Sequence, residues 1–250
     1  FRLSVDFQPN LMVPAGSDAV RTLQDAAAGT TPLDLLIVEG AIPTGSYCTV
    51  GEVNGSPVPV ENWVKSLGAR AKTVVAVGTC AAYGGIPAAT PNPTMSRSVS
   101  QVLAGKPVVN LPGCPSHPDW VTLTLASALS NEAMQLDSMG RPVAIFGAGG
   151  GEEHDEEDGR IHEHCRLKEF YEEDRFATDL GQDPLLCLYE LGCKGPKGEV
   201  LADCTERLWN NRTNVCQYAG APCIGCVAPT FPDGMSPFFG SSERGWERDD

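Results

Sequence analysis

At 250 residues, with 27 glycines, 20 prolines and ten cysteines, the chain can bury one good core and could be split in two. Its net charge of -14, from 18 basic and 32 acidic residues, argues against a nucleic-acid surface, because phosphates select clustered Lys and Arg. No apolar run approaches the ~20 residues that span a bilayer, so no transmembrane segment is expected.

FRLSVDF (1–7) has no basic region followed by an apolar one and is not a signal peptide. The chain opens on Phe1 rather than Met, so any export segment is expected to lie upstream of it. The expected location is the cytoplasm or the periphery of a membrane.

LSVDF (3–7) reads as a first strand and LDLLIVEG (33–40) as a buried one. VENWVKSLGARA (60–71) follows as an amphipathic helix, then KTVVAVGTC (72–80) as the next strand. A weaker helix, MSRSVSQVLAG (95–105), precedes PVVNLPGC (107–114). DWVTLTLASALSNEAM (119–134) is the next helix and RPVAIFG (141–147) the last strand. Continuous Val/Ile/Leu runs alternating with helices predict a parallel sheet covered on both faces. EGAIPTG, GTCAAYGG and PGCPSHP all fall just past strand C-termini, the edge at which open α/β sheets bind ligands. Cys80 and Cys114 are therefore expected to meet in space.

GAGGGEEHDEEDGR (147–160) marks the boundary between a first domain, 1–150, and a second, 151–250. Its glycines follow G-x-G-x-G and not the dinucleotide fingerprint, so it reads as a solvated acidic loop with His154 a bystander. The last 90 residues hold seven of the ten cysteines and almost no apolar periodicity. Such a segment needs a staple. A disulfide framework suits shorter secreted chains better. Zinc sites usually pair two short knuckles, and only CIGC (223–226) is one. Iron–sulfur clusters accept irregular spacing, but thiolates suit both metals, and the residues alone leave zinc and iron–sulfur open.

EGAIPTG (39–45), VGTCAAYGGIPAATPNPT (77–94), NLPGCPSHP (110–118), CLYELGCKGP (187–196) and APCIGC (221–226) together resemble the small, electron-transferring subunit of nickel–iron hydrogenases. The likeness runs from about residue 3 to SPFF at 236–239. It implies a flavodoxin-like α/β domain, a doubly wound parallel sheet, followed by an irregular iron–sulfur cluster-binding domain. It implies a large partner subunit bearing the nickel–iron centre, an external electron acceptor or donor, and a row of three clusters between them. No residue of this chain would carry out the hydrogen chemistry; its work is to position clusters and tune them.

By the same resemblance, Cys80 and Cys114 are two ligands of the cluster nearest the active site. The family's other ligands for it precede the segment resembling LSVDFQPNL, which this sequence does not contain. His162, Cys165, Cys187 and Cys193 match the distal 4Fe–4S cluster, whose imidazole ligand is expected to raise its potential. His164 falls outside that pattern. Cys204, Cys223 and Cys226 match the medial cluster, and Cys216 adds a fourth thiolate, which implies 4Fe–4S rather than 3Fe–4S. Cys48 is left over and reads as a buried thiol. Gly85 stands where certain oxygen-tolerant relatives carry an extra cysteine. Glu39 reads as a structural carboxylate, or as one used in proton movement or in contact between subunits. Two other readings remain at this point: a cluster-bearing subunit of a related quinone or ferredoxin oxidoreductase, and a zinc-stapled interaction module.

Overall fold

The computed structural model describes residues 4–130, 134–147, 160–182 and 184–240. Helix α1 (Gly16–Ala28) ends at Gly29, whose left-handed φ of 81° lets its amide turn back to the Ala26 carbonyl. Strand β1 (Leu35–Glu39) follows, then a hairpin of β2 (Thr49–Val53) and β3 (Ser56–Pro59). Helix α2 (Val60–Arg70) leads into β4 (Thr73–Val77), the short helices α3 (Thr79–Tyr83), α4 (Gly85–Ala88) and α5 (Val99–Val102), and β5 (Val109–Leu111). Helix α6 (Pro118–Ser130) and the single turn α7 (Val143–Phe146) complete the first half. Beyond them only α8 (Lys168–Glu172) and α9 (Cys204–Arg207) are α-helical among the described residues.

Strands β1, β4 and β5 form a parallel sheet in that order, registered Leu35 to Thr73 and Val75 to Val109. Val74, Val75 and Ala76 are fully buried, as a strand covered on both faces requires. Val74 and Ala76 point to one core, with Ile42, Val99 and Val102. Val75 points to the other, with Trp120 and Phe146, and that cluster continues into Ile161, Val200, Val215, Phe231 and Met235. The irregular second half therefore packs directly on one face of the sheet. A third cluster seats α1 and α2 on the hairpin through Val20, Leu23, Trp63 and Leu67.

Several sequence expectations change. Residues 4–7 are not a strand. The run expected as a strand at 141–147 is the helical turn α7: four apolar residues cannot be told from a buried helical turn by periodicity. Pro142 opens the turn, accepting from the Ile145 and Phe146 amides at 3.0 Å. The helix expected over 95–105 contracts to α5, started by a reciprocal capping box between Ser98 and Gln101. The acidic stretch lies outside the described residues apart from its ends. The hairpin is an addition; its signal was Asn54-Gly55, both at positive φ. No helix among the described residues is long and apolar enough to cross a membrane.

Candidate metal centres

The C-terminal ends of β4 and β5 bring the first two cysteines together. The Gly78 amide donates to the Leu111 carbonyl at 2.8 Å and the Thr79 amide to the Gly113 carbonyl at 2.9 Å, which zips the two loops side by side. Gly113, at φ 133°, is required: a Cβ there would lie 2.7 Å from the Pro115 oxygen. The zip places Cys80 against Cys114. Burial first, and the neighbouring Cys114 thiolate after it, hold the Cys80 thiol above its ordinary range. Cys114 is exposed at the surface.

His162, Cys165, Cys187 and Cys193 line one small recess, together with Leu188, Tyr189 and Gln217. The His162 ring stands edge-on to Tyr171 at 4.6 Å. Burial lowers its pKa, favouring the neutral imidazole that binds metals. Burial pushes Cys187 up to about 12 and Cys193 to about 11. Thiols so reluctant to ionise alone become thiolates when a cation offsets the charge, so the donor set suits a metal group. His164 lies outside this recess, half-exposed and 3.7 Å from Glu206.

A third set gathers around α9. Burial holds Cys204 and Cys223 well above the ordinary thiol range, and the charges of Cys226 and Cys216 add to the effect on Cys204. Cys226 is pushed up to about 11 by burial, with Cys216 and Cys114 contributing. Cys204 and Cys226 thus each neighbour both Cys216 and Cys223, although 22 residues separate Cys204 from Cys226. Cys216 is the exposed member. All ten cysteines are free thiols, which sets aside a disulfide framework. Cys48 is exposed and not the buried thiol expected; the GSYC turn lies over the hairpin edge, where nothing covers it.

The three sets are tied to each other by residues that the spacing of cysteines did not signal. The Thr79 hydroxyl accepts from the Gly113 amide at 2.8 Å and donates to the Cys226 carbonyl. The Cys114 backbone acts against the burial that raises the Cys226 thiol pKa. His117, buried between Trp120 and Trp209, accepts from the Asp119 amide at Nδ1, so its Nε2 donates to the Leu208 carbonyl at 2.7 Å. On the other side the Lys194 amide donates to the Cys223 carbonyl at 2.8 Å. The Lys194 ammonium, fully buried, donates to the carbonyls of Gly192 and Pro237 at 2.8 Å each and fastens the SPFF segment over this junction.

A parallel α/β sheet with thiols at its C-terminal edge, backed by a sheetless domain organised around further thiols and an imidazole, defines a cysteine-rich metalloprotein. Residues 158–239 match the C-terminal family of NiFe/NiFeSe hydrogenase small subunits, and residues 2–128 match the NADH ubiquinone oxidoreductase 20 Kd subunit family. The chain is 40% identical to the periplasmic [NiFeSe] hydrogenase small subunit of Desulfomicrobium baculatum, over 95% of this chain and 76% of that protein. It is 35% identical to the periplasmic [NiFe] hydrogenase small subunit of Solidesulfovibrio fructosivorans, over 95% and 71%. A solved structure of the Dm. baculatum [NiFeSe] hydrogenase superimposes with a TM-score of 0.84, covering 96% of this chain and 87% of that one. The recombinant [NiFeSe] hydrogenase of Desulfovibrio vulgaris Hildenborough gives 0.82 at 39% identity, covering 96% and 86%. The chain belongs to the small subunits of nickel–iron hydrogenases, the electron-transfer subunits that pair with a large subunit. The first half alone is shared with the oxidoreductase relatives; the second half decides between them. Membership implies iron–sulfur clusters.

Proposed function

We propose that the three thiol sets are three cluster sites in a row. Cys80 and Cys114 hold two corners of a proximal cluster, and Cys204, Cys216, Cys223 and Cys226 hold a medial 4Fe–4S cluster. His162, Cys165, Cys187 and Cys193 hold a distal 4Fe–4S cluster. When bound, the clusters supply one-electron chemistry between the large subunit's active site and an external acceptor or donor. The single observation that carries this reading is the recess that collects His162 and three cysteines from 162 to 193 around one cavity. Zinc fits less well: among the described residues no group of His, Cys, Asp or Glu closes tightly enough for a single ion. A sulfur-bridged iron core spreads its thiolates further apart.

The protein's own residues bind, space and dehydrate the clusters. The 1–150 and 151–250 units of this reading differ in secondary structure while sharing one buried cluster. The proposed location is cytoplasmic or at a membrane surface. Two relatives are periplasmic by name, so cell fractionation decides it.

The test is electron paramagnetic resonance with iron analysis on the purified heterodimer. Wild-type protein should show no three-iron signal from the medial site, and Cys216→Ser should create one. A high-potential three-iron signal in the wild type would defeat the four-thiolate assignment. A colourless, zinc-loaded protein would defeat the iron–sulfur reading altogether.

A further inference from the structure

Gln217 follows Cys216 directly, yet its side chain leaves the medial set. It is 3% exposed and lines the recess of His162, Cys165, Cys187 and Cys193. The backbone fixes it there. Residues Gln217–Ala219 form a single 3₁₀ turn, closed by the Gly220 amide on the Gln217 carbonyl at 3.1 Å and the Ala221 amide on the Cys216 carbonyl at 3.0 Å. Tyr218 fastens that turn to the segment after Cys165: its hydroxyl accepts from the Arg166 amide at 2.9 Å, and the Arg166 guanidinium lies 3.8 Å from its ring centroid. The Gln217 carboxamide oxygen is buried and has no hydrogen-bond partner among the described residues. A buried polar group left so costs about 1–3 kcal/mol. Methionine would fill the same space without that cost, so the carboxamide points to a polar partner within the recess. The other side chains lining the recess are the four ligand candidates, Tyr189 and aliphatic groups, and Gln217 is the one carboxamide among them.

We propose that Gln217 tunes the distal site: from a turn that belongs to the medial set, its side-chain NH2 donates to the sulfurs of the cluster that His162, Cys165, Cys187 and Cys193 hold. The proposal rests on the reading of that recess as the distal cluster site. A carboxamide has an accepting end and a donating end, and rotation about its last side-chain bond exchanges them. Thiolate and sulfide sulfurs only accept, so the NH2 is the end that bonds them. Hydrogen bonds to cluster sulfur favour the more negative, reduced state and raise the potential. Gln217 therefore makes the distal site a better electron sink without adding a charge or altering a ligand.

Gln217→Met in the purified heterodimer keeps the length and most of the bulk of the side chain and removes the donor. Potentiometric titration followed by electron paramagnetic resonance reads the clusters. His162→Cys marks the distal one, because a thiolate in place of the imidazole lowers its potential. In Gln217→Met the reduction equilibrium of that same cluster should shift toward the oxidised form by roughly three- to tenfold, tenfold being 59 mV for one electron. The medial potential should stay in place although Gln217 adjoins Cys216. With glutamine labelled by 15N in its side chain, the reduced distal cluster of the wild type should show a 15N hyperfine coupling that the variant lacks. An unmoved distal potential, a missing wild-type coupling, or an equal shift of every cluster would each overturn the role of Gln217 and leave the site assignment standing. Clusters that His162→Cys leaves wholly unmoved would instead remove the recess from the cluster sites, and the proposal with it.

Discussion

Thr79→Val deletes one hydroxyl from a side chain that is 1% exposed and keeps its shape. The hydroxyl joins three segments: it precedes Cys80, accepts from the Gly113 amide beside Cys114, and donates to the Cys226 carbonyl. Valine leaves one buried donor and one buried acceptor without partners, each costing about 1–3 kcal/mol. Thr79→Ser keeps both hydrogen bonds and loses a methyl, about 0.8 kcal/mol. The difference between the variants is therefore about 1–5 kcal/mol, roughly tenfold or more in an opening equilibrium. A heterodimer bearing clusters does not unfold in two states, so the readout is kinetic. Visible absorption is followed as it bleaches in a fixed concentration of guanidinium chloride. The valine protein should bleach at least tenfold faster than the serine protein, which should stay close to wild type. Equal rates for the two variants would refute the claim that this hydroxyl locks the proximal loops to the medial site.

Gly85→Ala should cost the proximal cluster specifically. The φ of 51° is strained for alanine, and its Cβ would lie 2.9 Å from the Cys80 Cα, N and Sγ; a full proximal signal by electron paramagnetic resonance would contradict this. Glu61 is held below its ordinary pKa of 4.5 first by Lys65 and next by Arg97. Its folded-state pKa is lowered, so its contribution is complete above that ordinary value and is lost as pH falls through the folded one. Glu61→Gln should flatten the acid limb below about pH 4.5 in Trp63 fluorescence, because it removes at neutral pH the contribution that the wild type loses only on acidification. Anaerobic iron chelation should expose residues 160–240 to protease before 35–130, because among the described residues only the latter have a parallel sheet and helices longer than one or two turns; equal protection of both would count against metal stapling.

The sheet was legible because LDLLIVEG, KTVVAVGTC and PVVNLPGC are apolar throughout, and only a strand buried on both faces carries such runs. Their C-terminal ends then located Cys80 and Cys114. The resemblance supplied the grouping of the other eight ligand candidates, since intervals such as 165 to 187 carry no geometric signal. RPVAIFG failed as a strand because its four core residues satisfy either period. LSVDF failed because its described residues, 4–7, pair with no neighbouring strand among the described residues. Cys48 was misjudged as buried: its turn sits at the margin of a two-stranded hairpin and leaves the thiol exposed. Thr79, His117 and Lys194 were invisible for a different reason. Each acts through a backbone partner far away in sequence, and no spacing rule records a hydrogen bond of that kind.

Lys194 and Cys223 also bear on how this chain can tolerate change. Their paired amide and carbonyl join the two thiol sets proposed as distal and medial cluster sites, and under that proposal they fix the gap an electron would cross. The stretches between the cysteines are looped slack around that gap. Insertions there would lengthen the chain and leave the hopping distance alone, whereas a single proline at position 194 would remove the amide and lengthen the hop without touching a ligand. What the fold preserves in its sheetless half is then a set of intervals in space, with the intervals along the chain left free.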